Sequence, residues 1–339
     1  MKTGIFALVL AVSPAGAANL SLRPTTAPFG LQGAAAAFVG LPSLPASTLI
    51  PSLQGLPAAV PAATPAPPAS AEAPSTARPA NAPGTIALVQ YDGDAHFGDY
   101  EHNRRELTRL AEQAVARGAK IIVTPEGALY GYADKDELWC RPGMTEFEGR
   151  KCRDVSLVAE TIPDGRSTRY WAEFSQRHGV FVLFNVPEND AGTFYNTMGV
   201  TGPSGFVASY RKRMLYKTDK AYAAAGTEPT VLKTDYGCFG LLICLDAHPE
   251  SPYFEEYKRL EADALIIAMD WDDDPAGAYA AKLKFREWAA QHSIDIYASD
   301  AAPWDGAGKY LADGRERQRD GLPPDAVGGE GVSIHRFQY

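Results

Sequence analysis

The chain has 339 residues, 45% hydrophobic and 22% charged, which suffices to bury a large core in one big domain or two small ones. This composition excludes a collagen, a coiled coil and a wholly disordered protein. Lys+Arg 32 against Asp+Glu 41 gives a net charge of -9, so the surface repels phosphate backbones and nucleic acid is not expected as a partner.

The first 84 residues differ from the rest, because they hold 14 of the 26 prolines and four charged side chains. Residues 1–18 combine Lys2, an apolar run over 4–12 and small residues at 15–17, which is the pattern of a secretory signal peptide. The apolar run is too short to span a membrane. Residues 19–84 are Ala/Pro-rich and predict a disordered linker or pro-segment. We therefore expect a secreted or periplasmic protein, the alternative being an Ala-rich N-terminus that stays in the cytoplasm.

The charged remainder, 85–339, predicts one domain in which strands and helices alternate. Strands are predicted at 86–90, 120–124, 180–185, 193–200, 205–210, 239–244, 264–268 and 294–298. Helices are predicted at 103–118, 169–178, 252–261 and 278–292. This order indicates an α/β layered fold. The sequence contains neither a Gly-x-Gly-x-x-Gly motif nor a Walker-type loop, so it gives no support for nucleotide binding.

Three polar residues lie at the ends of predicted strands or in the loops after them: Glu126, Lys212 and Cys244. Chemistry in α/β sheets gathers at the carboxyl ends of strands. A cysteine on a strand-to-helix turn lies near backbone N–H groups, which can lower a thiol pKa and hold an oxyanion. A carboxylate can act as a general base and a lysine can stabilise negative charge. Taken singly, each residue could instead be an ordinary core or surface residue.

Four sequence motifs, taken in their order along the chain, favour a functional role for these three residues. They are Pro125-Glu126 through Gly131-Tyr132, Tyr195-Asn196, Tyr210-Arg-Lys212-Arg-Met-Leu215, and Ile243-Cys244-Leu-Asp246 through Pro249-Glu250. Together they resemble the nitrilase, or carbon–nitrogen hydrolase, superfamily over roughly 86–335. The stretch after Glu126 and the Gly226-Thr-Glu228-Pro segment look most similar to the biotinidase and pantetheinase (vanin) branch. The resemblance implies a four-layer α-β-β-α sandwich.

The resemblance also implies a mechanism. Glu126 takes the thiol proton, Cys244 attacks an amide carbonyl, and Lys212 with the Leu245 N–H stabilises the oxyanion. Water then hydrolyses the thioester, and neither a metal nor another cofactor is needed. Many members carry a second Glu after the lysine motif, where this chain has Asp219. Asp219 is expected either to orient Lys212 or the substrate, or to be an exposed turn residue.

Other residues receive weaker assignments. Tyr130, Tyr195 and Trp271 are candidate substrate contacts, with core packing as the alternative for the two tyrosines. Residues 270–274 are interpreted as a solvated acidic loop, because the spacing does not fit a calcium loop. His248 is interpreted as a turn residue, since no further ligands at zinc spacing accompany Cys244.

The four cysteines leave one question open. Cys140 and Cys152 lie in one polar loop, and they form either a disulfide, as an exported protein allows, or two free thiols. Cys238 is interpreted as structural, because a disulfide to Cys244 would block the predicted nucleophile.

The leading functional hypothesis is an exported thiol amidohydrolase that acts on a small linear amide and does not span a membrane. The alternatives are acyl transfer or nitrile hydrolysis by the same site, and an inactive secreted scaffold. A homodimer is expected in related proteins, but the chain stops at Tyr339, soon after the Gly-Gly-x-Ser-like strand, which leaves the oligomeric state open.

Overall fold

A computed structural model of the chain describes residues 81–248, 250–271, 281–302, 304, 306–315, 318 and 329–339. The predicted signal peptide and most of the Ala/Pro-rich segment lie outside these residues, as do residues 272–274 of the predicted acidic loop. No helix in the described part of the chain has both the length and the apolar character needed to cross a membrane.

The elements are numbered in chain order. The strands are β1 Gly84–Gln90, β2 Ile121–Val123, β3 Glu137–Cys140, β4 Glu146–Phe147, β5 Arg150–Asp154, β6 Phe181–Asp190, β7 Thr193–Gly202, β8 Gly205–Arg211, β9 Val231–Thr234, β10 Gly237–Ile243, β11 Ala264–Met269, β12 Asp295–Asp300, β13 Gly308–Tyr310 and β14 Gly331–Phe337. The helices are α1 Tyr100–Ala116, α2 Arg166–His178, α3 Tyr253–Arg259 and α4 Ala281–His292.

The main sheet follows the order β8-β7-β6-β2-β1-β12-β11-β10-β9, and in addition β14 pairs with β1 and β13 with β12. Strand β1 pairs with β14 along its whole length but meets β12 at the single pair Gln90 and Asp300. The hydrogen-bonded network therefore consists of two halves joined at one corner. Strands β2, β6, β8, β10, β11 and β12 all run in the direction of β1, so their carboxyl ends meet at one edge.

The alternation of side chains along β1 explains how the layers assemble. Ile86 and Leu88 belong to the core cluster that contains strands of both halves, including Leu241 of β10. Ala87 points the other way, into the cluster formed with Leu107 of α1 and with α2. On the other half, α4 packs its own aromatic residues into the first cluster. These contacts place helices outside two facing half-sheets, as the predicted α/β fold requires.

A small sheet of order β3-β5-β4 lies between β2 and α2 in the sequence, and the sequence analysis did not predict it. Its strands are short, and β5 reads RKCRD without an apolar alternation. A disulfide between Cys140 and Cys152 joins β3 to β5, so the alternative of two free thiols is wrong. Cys238 and Cys244 are not disulfide-bonded. The side chains of Leu138 and Cys140 pack against Ala221, the last residue of a short 3-10 helix, Asp219–Ala221.

The longer predicted elements are confirmed, with shifted ends. The helix predicted from 103 begins at Tyr100, where Asp99 caps it by accepting a hydrogen bond from the His102 N–H. Two short strands, β9 and β13, were not predicted. Strand β9 pairs with β10 and β13 pairs with β12. Backbone hydrogen bonds of this kind do not depend on a particular side-chain pattern, so the sequence does not indicate them.

Candidate active site

Glu126, Lys212 and Asp219 form a buried charge cluster at the carboxyl edge of the sheet. The Lys212 Nζ lies 2.7 Å from Glu126 Oε1 and 2.6 Å from Asp219 Oδ2, and all three side chains are 0% exposed. Glu126 follows β2 and Lys212 follows β8, so the parallel direction of these strands brings the two residues together. The alternative that Asp219 is an exposed turn residue is wrong, because the carboxylate is buried against Lys212.

Two asparagines fix the carboxylates of this cluster. Asn196 Nδ2 donates to Glu126 Oε1 at 2.7 Å and to Asp219 Oδ1 at 2.8 Å. Asn185 Nδ2 donates to Asn196 Oδ1 at 2.7 Å, and Asn185 Oδ1 accepts from the Gly127 N–H at 2.8 Å. These hydrogen bonds connect Gly127, the residue after Glu126, through the two asparagines to the Glu126 carboxylate. The asparagines therefore hold each other and both carboxylates in fixed orientations. Asn196 was quoted in a motif, whereas Asn185 has no signal in the sequence.

Cys244 occupies the position directly after β10, and it begins a short 3-10 helix, Cys244–Ala247. Its φ is +45°, a left-handed conformation that non-glycine residues rarely adopt and that is often found at functional sites. The Sγ lies 3.7 Å from the Asp270 carbonyl oxygen, and the Asp270 N–H donates to Glu126 Oε2 at 3.3 Å. The backbone of Asp270 thus touches both the thiol and the carboxylate.

Asp246 holds the cysteine turn against the chain after β8. Its Oδ2 accepts from the Tyr210 hydroxyl at 2.8 Å and the Ile243 N–H at 3.2 Å. Its Oδ1 accepts from the N–H groups of Arg213 at 3.1 Å and Met214 at 2.6 Å. The Asp246 carboxylate therefore joins the residue before Cys244 to the residues after Lys212. This is a structural reason for an acidic residue two positions after the cysteine.

The groups of the cluster shift each other's pKa values. Burial opposes the Lys212 charge, but Asp219 and Glu126 outweigh it and hold the pKa of Lys212 well above its usual range. Burial raises the pKa of Glu126, against the lowering effect of Lys212, and Asp219 adds to the rise. Lys212 is therefore an ammonium, and Glu126 is a stronger base than an exposed carboxylate.

The thiol of Cys244 differs from the sequence-based expectation. Burial and the neighbouring Glu126 carboxylate raise the pKa of Cys244 well above its usual range, whereas the turn was expected to lower it. The reason is that the residue is only 8% exposed and that the nearby carboxylates outweigh Lys212. The resting group is a neutral thiol, so a base has to remove its proton during attack.

Tyr132 also lies in this cluster, although the sequence analysis assigned it no role. The Lys212 Nζ lies 5.4 Å from the centroid of its ring. Burial, followed by the charges of Asp219, Glu126 and Cys244, raises the pKa of Tyr132 well above its usual range. Its hydroxyl is thus a permanent hydrogen-bond donor beside the reactive groups.

A cavity of about 400 Å³ adjoins the site through Asp270. Asp94 and Lys135 also line it, and the Trp304 Nε1 donates to Asp270 Oδ1 at 2.5 Å. Burial raises the pKa of Asp94 to about 7, although it accepts hydrogen bonds from the N–H groups of Tyr132 and Ala133. Asp270 belongs to both the cavity wall and the contacts around Cys244.

The structure does not bring Tyr130 and Tyr195 into the cluster. The Tyr130 hydroxyl donates to Glu160 and its ring packs in the core beneath α1 and α2. Tyr195 lies beside Asn196 on β7 and so points to the opposite face, where the Arg211 guanidinium lies 3.9 Å from its ring centroid. These contacts favour packing, the alternative given for both tyrosines, over the predicted substrate roles.

Leu245 and Trp271 do lie beside the site. Leu245 follows Cys244 in the first turn of the 3-10 helix, where N–H groups lack intrahelical partners. Trp271 follows Asp270 and is 7% exposed, with its ring centroid 5.4 Å from that of Phe285. The Trp271 side chain therefore supports the wall behind the site by packing on α4.

No set of three or more His, Cys, Asp or Glu side chains within the described ranges has a geometry that could hold a metal ion. His248 follows the 3-10 helix as the predicted turn residue, and its ring lies 6.5 Å from that of Trp288.

Solved structures share this fold at low sequence identity. One is a mutant amidase from Nesterenkonia sp. AN1 whose active-site cysteine carries the acetamide moiety of fluoroacetamide. It is 18% identical with a TM-score of 0.59, over 75% of this chain and 90% of that chain. A Saccharomyces cerevisiae member of branch 10 of the nitrilase superfamily matches with 18% identity and a TM-score of 0.59, over 75% and 89% of the two chains.

Sequence relatives include a nitrilase of Pyrococcus abyssi, 29% identical over 168 residues, which cover 49% of this chain and 58% of that protein. An omega-amidase of Xenopus laevis is 28% identical over 172 residues, 48% and 54% of the two chains. A pantetheine hydrolase of Homo sapiens is 26% identical over 183 residues, 49% and 34% of the two chains. The chain thus spans about a third to three-fifths of the length of these relatives, and the matches do not single out the predicted pantetheinase branch.

The sequence profile of the carbon-nitrogen hydrolases matches residues 85–290, more than half of the chain. That range contains Glu126, Lys212 and Cys244. The chain therefore belongs to the carbon-nitrogen hydrolase family of the nitrilase superfamily.

Proposed function

We propose that this protein is a thiol amidohydrolase that cleaves the carbon–nitrogen bond of a small linear amide through a Cys244 thioester. The observation that carries the proposal is the fully buried Glu126–Lys212–Asp219 cluster, with its backbone link through Asp270 to the Cys244 thiol. A buried ion pair contributes little to stability compared with apolar packing, so its presence favours a chemical role.

The raised pKa values of the cluster define the order of events. Glu126 accepts the thiol proton as the Cys244 sulfur attacks the amide carbonyl, because the thiol does not ionise by itself. The Lys212 ammonium and the Leu245 N–H stabilise the oxyanion. Glu126 then gives the proton to the departing amine, which leaves a thioester. A water molecule, deprotonated by Glu126, attacks the thioester and releases the acid and the thiol.

Asp219 acts through Lys212 in this scheme. Its Oδ2 accepts from Lys212 and from the Tyr216 N–H at 2.8 Å, so the turn after β8 fixes its position. The carboxylate keeps Lys212 charged and aimed at the site, and the Asp219–Lys212 distance of 2.6 Å supports this role. Asp219 is thus proposed as a positioning residue in the place of the second acid that many members carry.

Export is part of the proposal. The sequence pattern of residues 1–18 supports it, and so does the Cys140–Cys152 disulfide, since disulfides persist in oxidising compartments. The proposed location is secreted or periplasmic. Mass spectrometry of the mature protein from its native source tests this, because cleavage after residue 17 or 18 is expected and an intact Met1 terminus would contradict export.

The catalytic proposal is tested by steady-state hydrolysis of a panel of amides, with matched nitriles because some relatives are nitrilases. Cys244→Ala is expected to abolish turnover, and Cys244→Ser is expected to retain only a small fraction of the wild-type rate. Cys238→Ala is the matched control and is expected to keep wild-type turnover, since Cys238 lies on β10 before the strand enters the site. Normal amide hydrolysis by the Cys244→Ala protein would overturn the assignment.

A further inference from the structure

Tyr132 carries a buried hydroxyl that has no hydrogen-bond partner among the residues the structure describes. The residue is 8% exposed. Buried hydroxyls are as a rule paired, and an unpaired one costs about 1–3 kcal/mol. An unpaired hydroxyl beside the proposed catalytic groups indicates that its hydrogen-bond acceptor belongs to the substrate.

The location of Tyr132 favours this interpretation. The Lys212 Nζ lies 5.4 Å from the centroid of its ring, and Lys212 in turn contacts both Glu126 and Asp219. The carboxylates already accept hydrogen bonds from Lys212 and from Asn196. The Tyr132 hydroxyl makes no bond to either of them, so it is not part of their support.

The backbone holds Tyr132 in this position. Gly127 has a φ of +68°, and a Cβ built on it would lie 2.6 Å from the Cβ of Tyr132, so only glycine permits this approach. The Tyr132 N–H donates to the Asp94 carboxylate. Because Gly127 directly follows Glu126, the ring and the base are positioned by one tight turn.

We propose that the Tyr132 hydroxyl donates a hydrogen bond to the carbonyl oxygen of the scissile amide and to the oxyanion that forms there. This inference rests on the proposed amidohydrolase function and adds a donor to Lys212 and the Leu245 N–H. The carbonyl oxygen is the acceptor that every amide substrate supplies, and its negative charge grows as Cys244 attacks. Burial and the nearby carboxylates raise the pKa of Tyr132, so the hydroxyl donates a hydrogen bond and keeps its proton.

The substitution Tyr132→Phe removes only the oxygen atom. The rate of acylation, and with it kcat/KM for amides, is expected to fall about 10²-fold, as for other lost oxyanion donors. The melting temperature is expected to stay the same or to rise, because the hydroxyl bonds to none of the residues that the structure describes. A catalytic loss without a stability loss is the signature of a donor reserved for the substrate.

Two controls separate this role from a structural one. Tyr257→Phe removes a hydroxyl that donates to the Leu241 carbonyl at 2.6 Å and accepts from the Thr230 N–H at 3.2 Å, so its melting temperature is expected to fall. Modification of Cys244 by a methanethiosulfonate, a probe that has no carbonyl oxygen, is expected to proceed at the same rate in Tyr132→Phe and wild type.

The outcomes are distinguishable. If wild-type protein forms no acyl-enzyme and hydrolyses no amide, the proposed function fails and the inference falls with it. If wild type is active and Tyr132→Phe stays within threefold of it, the inference alone is overturned. A melting temperature that falls as far as in Tyr257→Phe, or an equal loss in the methanethiosulfonate reaction, would assign Tyr132 a structural role and also overturn the inference.

Discussion

Replacing Lys212 by Met tests whether this lysine balances the two buried carboxylates. Met has a similar length and removes the charge that lies 2.7 Å from Glu126 and 2.6 Å from Asp219. Both carboxylates are 0% exposed, so neither gains solvent in exchange. Removing one partner of a buried pair costs on the order of 3–5 kcal/mol. For a domain of this size, the melting temperature is expected to fall by roughly 6–20 °C.

The size of this loss depends on pH. In the wild type, Lys212 lowers the pKa of Glu126 against the larger effect of burial, so the pKa of Glu126 rises further in Lys212→Met. An acid whose folded pKa lies above its unfolded value stabilises the protein below the unfolded pKa, and this contribution is lost as pH rises through the folded pKa. The difference in melting temperature between variant and wild type is therefore expected to widen with rising pH.

Thermal melts across a pH series provide the assay. Lys217→Met is the matched control, because this neighbouring lysine is exposed, and no change is expected. Adding Asp219→Asn to Lys212→Met removes one of the two uncompensated charges and is expected to recover part of the loss. A Lys212→Met protein that melts within about 2 °C of wild type at every pH would refute the reasoning.

Two further predictions concern the thiol and the disulfide. Glu126→Gln removes the charge that, after burial, raises the pKa of Cys244, so alkylation by iodoacetamide is expected to begin at lower pH than in wild type while amide acylation stops. An alkylation profile shifted to higher pH would contradict this. Cys140→Ala/Cys152→Ala, which lacks the disulfide across 12 positions, is expected to lose about 3 kcal/mol of stability and to become insensitive to reductant. Equal melting of this double variant and the untreated wild type would contradict the expected stabilisation.

The proposed catalytic residues could be picked out from the sequence because Glu126 and Cys244 come after short apolar strands and Lys212 comes after a predicted hairpin. Strand β10 is buried along most of its length, and Cys244 is the first residue after it. The parallel strand directions then bring Cys244 near Glu126. What the strands do not determine is the surrounding hydrogen-bond network. Asn185 lies inside β6 as an ordinary polar residue of its strand, and only the pairing with β7 brings it to Asn196.

The choice of Tyr130 over Tyr132 and the open role of Asp219 have a similar cause, because both depend on contacts that the sequence does not show. Tyr130 and Tyr132 both follow Glu126 closely, and sequence distance alone does not say which one faces the cluster. Gly131, whose φ is +74°, lies between them, and it is the ring of Tyr132 whose centroid lies 5.4 Å from the Lys212 Nζ. The burial of Asp219 depends on packing between its turn and the disulfide-linked small sheet, a long-range contact that no local pattern encodes.

The most direct test of the central claim is intact-mass spectrometry of the purified protein during turnover of an amide panel that includes pantetheine and biotinyl amides. The account predicts a mass increase equal to one acyl group, located on Cys244 by peptide mapping and absent from the Cys244→Ala protein. It also predicts that the adduct disappears when the amide is exhausted, because water hydrolyses the thioester. Amide hydrolysis without any adduct on Cys244, or an acyl group on a different residue, would contradict the account.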